Sequence, residues 1–101
     1  MEKKYPINYL PVAEQDLSDI MEYIMLDDPA AALNLLNQFD ESISILSLFP
    51  NSGVIPNDSR LQSLHYRMLI VHSYLVFYVF NNETIEIRRI LHGKKKYGFL
   101  L

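Results

Sequence analysis

Three consecutive segments in the second half of the chain constrain the fold most, because each has the composition of a β-strand and short links separate them. They are HYRMLIVH (65–72), YLVFYVFN (74–81) and TIEIRRILH (84–92). All three are dense in β-branched and aromatic residues, and NNE supplies a hairpin turn between the last two. The middle segment is apolar on both of its alternating faces, which is typical of a central strand covered on both sides. The sequence therefore predicts a mainly antiparallel sheet with other elements packed on it.

The first half of the chain has the period of helices instead. Apolar residues recur every three or four positions over about 11–26 and again from Ala32 to Leu46, which predicts two amphipathic helices. Asp28 and Pro29 suit the N-cap and the first position of the second helix. Two helices joined by so short a link are expected to be antiparallel neighbours.

The remaining segments complete the predicted order. YPINYL (5–10) alternates weakly and contains a proline, which predicts a short strand at an edge of the sheet. The loop PNSGVIPNDS (50–59) is rich in turn residues and ends the second helix. The expected fold class is α+β in the order β-α-α-β-β-β, with a helical hairpin packed on one face of a mainly antiparallel sheet. We expect a single domain over residues 1–101.

Charge is divided unevenly along the chain. Residues 1–59 carry two lysines against ten acids, whereas residues 60–101 carry seven basic residues against two acids. The positive charge is concentrated in RRILHGKKK (88–96), which predicts either an anionic partner or carboxylates within the molecule that neutralise it. The absence of cysteine excludes a disulfide framework and favours a reducing compartment.

The sequence indicates neither a membrane protein nor a cofactor site. Its apolar runs are too short to span a bilayer, and MEKKYPINYL lacks the apolar core of a signal peptide, so we expect a cytoplasmic protein. The three glycines are scattered rather than gathered in a phosphate-binding loop. His65 and His72 have no nearby third ligand, so we expect no metal and no other cofactor.

Regular alternation along the last strand would divide its residues between two faces. On the core face it places Ile85, Ile87, Arg89 and Leu91, and on the other face Glu86, Arg88, Ile90 and His92. A guanidinium on a core face needs a carboxylate, and Asp16 beside the apolar stripe of the first helix is the best candidate, with Glu14 behind it. We therefore predict a structural ion pair between Arg89 and Asp16. A direct catalytic role for Arg89 is the alternative.

The opposite face of this strand is predicted to carry a basic patch. Arg88 and His92 would project together there, and the run from Lys94 through Lys95 to Lys96 begins just beyond them. Arg67 on the neighbouring strand is a further candidate member. Such a patch suits a phosphate backbone, since arginine gives bidentate contacts and histidine exchanges a proton near neutral pH. The alternative interpretation is a solvated basic surface.

Several segments in this order resemble a known family. They are LPVAEQDLSDIMEYI (10–24), LFPNSG (48–53), YRMLIVHSYLVFYVF (66–80) and IEIRRILHGKKKY (85–97). Together they resemble the RelE/ParE superfamily of toxins from bacterial type II toxin–antitoxin modules, and more closely the ParE branch. The resemblance implies a small cytoplasmic toxin that a co-encoded antitoxin wraps and neutralises.

The resemblance leaves the target open between DNA gyrase and messenger RNA on the ribosome. A RelE-like member would be an endoribonuclease, and His92, Tyr97 and Arg67 would then be its catalytic candidates. A ParE-like member would be a non-enzymatic gyrase inhibitor whose C-terminal segment, with Arg88, Lys94, Lys95 and Lys96, contacts the target. The absence of lysine and arginine between Lys4 and Arg60 favours the ParE branch, because binding to ribosomal RNA gains affinity from each cation. An inactive antitoxin-binding relative is the remaining alternative. The sequence leaves open whether the free protein forms a homodimer.

Overall fold

The chain folds around a four-stranded mixed sheet. The structure is a computed structural model, which describes residues 3–95, 97, 100 and 101. The strands are β1 (Ile7–Tyr9), β2 (Tyr66–Val71), β3 (Tyr74–Asn81) and β4 (Thr84–His92). Their spatial order is β1-β4-β3-β2, with β1 parallel to β4 and the other pairs antiparallel. The predicted α+β fold class and element order are confirmed, and the short first strand lies at an edge of the sheet.

The two predicted helices form a hairpin, α1 (Pro11–Met25) and α2 (Pro29–Ser44), and α2 continues as a 3-10 turn over Ile45–Ser47. Asp28 caps α2, because its carboxylate accepts a hydrogen bond from the Ala31 N–H at 3.1 Å. No side chain caps α1. Instead, the Leu10 N–H donates to the Ile87 carbonyl at 2.9 Å, so the sheet itself fixes where α1 begins.

A third, short helix was not predicted. It is α3 (Ser59–Ser63), and the Asp58 carboxylate caps it by accepting from the Leu61 N–H at 3.0 Å. Five residues are too few to show a helical period in the sequence. The helix buries Leu61 completely, on the side of the sheet opposite α1 and α2.

The core has two parts, one on each side of the sheet. We call the side covered by α1 and α2 the helix face and the other side the tail face. The helix face buries side chains of both helices and of the 3-10 turn against β2, β3 and β4: Ala13, Leu35, Phe39, Ile43, Leu46, Val71, Val76, Tyr78, Ile85, Ile87 and Ile90. The tail face buries Leu61, Tyr66, Phe77, Val79 and Leu91, and Tyr97, Leu100 and Leu101 pack against them. The prediction that β3 is covered on both sides is thus confirmed.

Candidate functional site

A β-bulge in β4 decides where the basic residues lie. Tyr78 pairs with Ile87 and Phe77 pairs with Arg89, so Arg88 is an extra residue with no partner of its own in β3. The extra residue reverses the alternation that follows it. Ile90, predicted on the outer face, is buried on the helix face, and Leu91 is buried on the tail face. The regular alternation predicted for β4 is therefore wrong beyond Ile87.

The outer edge of β4 is completed by a side chain of α1. β1 pairs with β4 as far as Ile87, and α1 then leaves the sheet. Beyond that point the Ile90 N–H donates to Asp16 Oδ2 at 3.0 Å. A strand edge otherwise leaves such groups unpaired, so Asp16 substitutes for the missing strand neighbour.

Arg89 meets the same carboxylate at two points. Its Nε lies 2.7 Å from Asp16 Oδ2 and its Nη2 lies 2.9 Å from Asp16 Oδ1. The two side chains are 18% and 13% exposed. Hydrogen bonding to Asp16 raises the pKa of the Arg89 guanidinium above its ordinary value, against the effect of its partial burial. The geometry makes this pair a joint between α1 and the sheet.

Arg88 projects over the tail face. Its guanidinium lies 5.9 Å from the centre of the Tyr66 ring, in cation–π range. Its Nε is 2.6 Å from Glu86 Oε1, although the N–H is not aligned for a hydrogen bond. Glu86 therefore neutralises part of the positive charge of the Arg88 side chain.

His92 lies on the helix face, at the end of β4. Its ring meets the Tyr74 ring edge-on at 5.4 Å between centroids, and its Nδ1 accepts from the Lys94 N–H at 3.1 Å. Arg88 and His92 were predicted to project together, but they lie on opposite faces of the sheet. The bulge at Arg88 is the physical reason.

The lysines that follow β4 lie in a turn held to the β2–β3 connection. The Gly93 N–H donates to the Ser73 carbonyl at 2.7 Å, and the Lys95 N–H donates to the His92 carbonyl at 2.9 Å. Lys94 and Lys95 are exposed. Lys96, predicted to bind with them, lies outside the described residues.

Acidic residues of α1 face this turn. Lys94 and Lys95 line a shallow depression together with Asp16 and Asp19, and apolar side chains such as Ile20 complete the lining. The depression thus carries both signs of charge. It fits a partner surface that also carries both signs better than a bare phosphate backbone.

The three residues predicted to be catalytic in a nuclease do not converge. His92 is on the helix face, and the Tyr97 ring packs against Phe77 on the tail face at 4.8 Å between centroids. Arg67 lies on β2, two strands away from β4, which is about 10 Å. Its Nη1 donates to the Gly53 carbonyl at 3.0 Å. Within the described residues there is also no group of three His, Cys, Asp or Glu side chains that could hold a metal ion.

A buried tyrosine, Tyr78, holds the loop before α3 by hydrogen bonds that the sequence did not predict. The Tyr78 hydroxyl accepts from the Gly53 N–H at 2.9 Å and donates to the Pro50 carbonyl at 2.8 Å. Val54 then bridges to Met68 on β2 by two backbone hydrogen bonds of 2.9 Å. Burial raises the pKa of the Tyr78 hydroxyl, while the hydrogen bond from Gly53 and the charge of Arg67 lower it. No spacing in the sequence links positions 50, 53 and 78, so nothing signalled this contact.

The chain matches a known protein family and solved structures. A family model described as the ParE toxin of type II toxin–antitoxin system, parDE, matches residues 7–97. Among solved structures, the chromosomal ParDE toxin–antitoxin system from P. aeruginosa contains a similar chain, with a TM-score of 0.73 and 18% sequence identity, covering 88% of this chain and 96% of that chain. At that identity the structural similarity shows a shared fold. No curated protein matches the chain. No helix in the part of the chain that the structure describes is long and apolar enough to cross a membrane.

Proposed function

Because the chain belongs to the ParE toxin family of type II toxin–antitoxin systems, we propose that it arrests bacterial growth by inhibiting DNA gyrase in the cytoplasm. A co-encoded antitoxin is its neutralising partner. The family match over residues 7–97 carries this proposal. Under it the toxin breaks no bond itself and needs no cofactor.

The separation of the nuclease candidates supports inhibition over RNA cleavage. Cleavage by the 2′-hydroxyl needs a base, an acid and cations within reach of one phosphate. His92, Tyr97 and Arg67 lie on the helix face, on the tail face and on the far edge strand. The Tyr97 ring is packed against Phe77, and His92 Nδ1 already accepts a hydrogen bond. Their placement on two faces and on separate strands argues against a shared phosphate site.

The turn with Lys94 and Lys95 is the contact surface in this proposal. Both lysines are exposed beyond the end of β4. The strand that presents them is joined to α1 through Arg89 and Asp16. We assign the lysines to target contact and the Arg89–Asp16 pair to holding the strand in place.

The test is a plasmid supercoiling assay with purified gyrase and purified toxin. Lys94→Glu combined with Lys95→Glu is expected to weaken inhibition by about tenfold or more, because it reverses two charges at the contact. Its melting temperature should stay within about 2 °C of the parent, because both lysines are exposed and solvent screens the repulsion between the new glutamates and Asp16 or Asp19. Lys3→Glu with Lys4→Glu is the matched control: it makes the same charge change on exposed residues next to β1. It breaks the ion pair between Lys3 and Glu83, which is exposed and contributes little, and the variant should inhibit like the parent.

A parallel reaction with translating ribosomes and messenger RNA tests the alternative. Message cleavage with unaffected supercoiling would refute gyrase inhibition and make the chain a ribosome-dependent nuclease. Induced expression without antitoxin that leaves growth unchanged would favour an inactive antitoxin-binding relative. Full inhibition by the Lys94 and Lys95 double variant would refute the assigned contact surface while leaving the target intact.

A further inference from the structure

A small pocket lies at the end of the sheet where β2 begins and β3 ends. Its volume is about 240 Å³, and residues of the loop before α3, of α3 and of the two strands form its walls. The candidate contact turn at Lys94 and Lys95 lies at the opposite end of β3, where Gly93 is bonded to Ser73. The lining includes Asn51, Ile55, Gln62, His65, Arg67 and Phe80.

Arg67 differs from the two arginines of β4 in having no carboxylate beside it. Arg89 binds Asp16. Arg88 Nε lies 2.6 Å from Glu86 Oε1. Among the described residues no carboxylate forms an ion pair with Arg67, and none lines the pocket. A half-buried guanidinium of this kind is a place for a carboxylate from outside the chain.

The hydrogen bonding of Arg67 leaves one edge of its guanidinium open. Its Nη1 donates to the Gly53 carbonyl at 3.0 Å, whereas Nε and Nη2 have no acceptor among the described residues. In Arg89 the same two nitrogens bind the Asp16 carboxylate, at 2.7 and 2.9 Å. This edge of an arginine matches the two oxygens of a carboxylate. The open edge of Arg67 therefore has the donor pattern that this chain already uses to bind a carboxylate.

The walls of the pocket are fixed without a ligand. The Gly53 N–H donates to the Tyr78 hydroxyl at 2.9 Å, while the Gly53 carbonyl accepts from Arg67. Gln62 Nε2 donates to the Pro56 carbonyl at 2.9 Å. A pocket whose groups are already held in place pays little ordering entropy when it binds.

The other lining residues indicate what the rest of the ligand is like. Gln62 Oε1 accepts no hydrogen bond from the described residues, so it is an acceptor for an amide N–H. Ile55, which is 56% exposed, and Phe80 supply apolar surface. Arg67 is the single arginine or lysine among the described lining residues, which suits one negative charge better than a phosphate monoester with about −1.5 to −2. The volume is below the roughly 300 Å³ at which pockets for drug-sized molecules begin.

We propose that this pocket binds the carboxylate of an N-acylated apolar amino acid. The carboxylate lies on the Nε and Nη2 edge of Arg67, the amide N–H donates to Gln62, and the apolar side chain packs on Ile55 and Phe80. A free acyl amino acid and the C-terminal residue of a peptide share this chemistry. The inference rests on the pocket and does not depend on gyrase being the target.

The test is a titration of the full, ¹⁵N-labelled chain followed by NMR. The probe is N-acetyl-leucine, and the counter-probe is N-acetyl-leucinamide, which differs only in lacking the negative charge. We expect the Gly53 amide and the Gln62 side-chain amide to shift, while the Gly93 amide at the far end of β3 stays. The dissociation constant should be roughly millimolar, as suits a ligand of this size, and that of the amide at least about tenfold higher.

Variants of Arg67 test the carboxylate contact. Arg67→Gln should weaken binding of N-acetyl-leucine by about tenfold or more, and Arg67→Lys should give an intermediate loss, because it keeps the charge but not the two-nitrogen edge. Lys95→Gln is the matched control, since it removes one exposed cation at the other end of the sheet and should bind the probe like the parent. Circular dichroism melting shows whether each variant is folded.

A second pair of variants tests the apolar contact and leaves Arg67 in place. Ile55→Gln should weaken binding by about threefold, because it removes apolar surface from the pocket without changing charge. Ile70→Gln makes the same change on β2, at a residue that is 64% exposed and outside the pocket, and should bind like the parent.

Three results would overturn the proposal. They are equal binding of the acid and the amide, full binding by folded Arg67→Gln, and inorganic phosphate that shifts the same signals at lower concentration than N-acetyl-leucine. A glycine tripeptide extended by a C-terminal leucine distinguishes the two sources of the carboxylate. Tighter binding of this peptide than of N-acetyl-leucine supports the site as one for a peptide C-terminus, and weaker binding supports it as one for the free acid.

Discussion

Asp16→Ala should destabilise this protein far more than a typical substitution on a helix surface. The Asp16 carboxylate accepts hydrogen bonds from Arg89 Nε, from Arg89 Nη2 and from the Ile90 N–H. Alanine removes all three acceptor contacts. It leaves a guanidinium that is 18% exposed without its counter-charge and a strand N–H without an acceptor.

The expected loss in the free energy of unfolding follows from these two groups, which Asp16→Ala leaves without a partner. Removing one partner of a buried ion pair costs about 3–5 kcal/mol, and an unsatisfied buried N–H costs about 1–3 kcal/mol. Arg89 keeps some contact with water and can turn toward it, so we expect about 3–4 kcal/mol in total for Asp16→Ala. For a chain of this length that loss lowers the melting temperature by roughly 12–16 °C. Arg89→Met also removes a counter-charge, that of Asp16, but it keeps the aliphatic stem and leaves the carboxylate hydrogen-bonded to the Ile90 N–H, so we expect a smaller loss of about 2 kcal/mol.

Urea unfolding followed by far-UV circular dichroism measures these differences. The two single variants and the double variant form a cycle, whose coupling energy should be about 1–2 kcal/mol. Asp19→Ala is the control, because Asp19 is exposed on the same helix and accepts a side-chain hydrogen bond from Gln15. An Asp16→Ala loss within about 1 kcal/mol of this control would mean that the contacts of Asp16 with Arg89 and the Ile90 N–H add little to stability. A loss in Arg89→Met as large as in Asp16→Ala would refute the role assigned to the Ile90 N–H.

Two further predictions concern the loop that Tyr78 organises. In Gly53→Ala the new Cβ would lie 2.6 Å from the Tyr78 hydroxyl oxygen and 2.9 Å from the Met68 carbonyl oxygen, so we expect the free energy of unfolding in urea to fall by about 2 kcal/mol. In the control, Gly93→Ala, the new Cβ would come no nearer than 3.2 Å to the Ser73 carbonyl oxygen, so the loss should be clearly smaller. Equal losses in the two variants would contradict this prediction. Burial raises the pKa of Tyr78, so its contribution to stability is complete below the unfolded value near 10 and is lost as pH rises through the higher folded value. Tyr78→Phe should therefore cost about 1–3 kcal/mol at pH 7 and flatten the fall in stability above pH 10, and an unchanged alkaline slope in urea midpoints would argue against it.

The uneven charge of the chain has a structural counterpart. The acids of α1 lie against the basic end of β4: Asp16 binds Arg89, and Asp16 and Asp19 share a depression with Lys94 and Lys95. The acids of α1 therefore offset part of the positive charge of the basic segment within the molecule. The segment therefore presents a partner with a surface that carries both signs of charge. Such a surface favours specific docking over non-specific electrostatic attraction.

Much of the fold could be predicted because helices and strands differ in period. The apolar stripe of α1, the cap and proline that begin α2, and the density of β-branched and aromatic residues in β2 and β3 are local properties of the sequence. Their predicted bounds agree with the structure within a few residues. The double-sided apolar character of β3 also predicted that something covers the tail face. The covering by α3 and the C-terminal residues was missed, since neither segment is long enough to show a period.

The amino-acid sequence alone specifies the two long helices, the four strands, their order, and the need of Arg89 for a carboxylate, because period, capping and charge burial act within a segment or on a single side chain. The face that each residue after Ile87 occupies depends instead on tertiary contacts. The bulge at Arg88 arises from the pairing of β4 with β3, and the open edge that Asp16 fills arises because β1 is three residues long. Pairing register and edge completion depend on neighbours that are distant in sequence, and one extra residue in a strand reverses every side chain beyond it. That reversal separates His92 from Arg88.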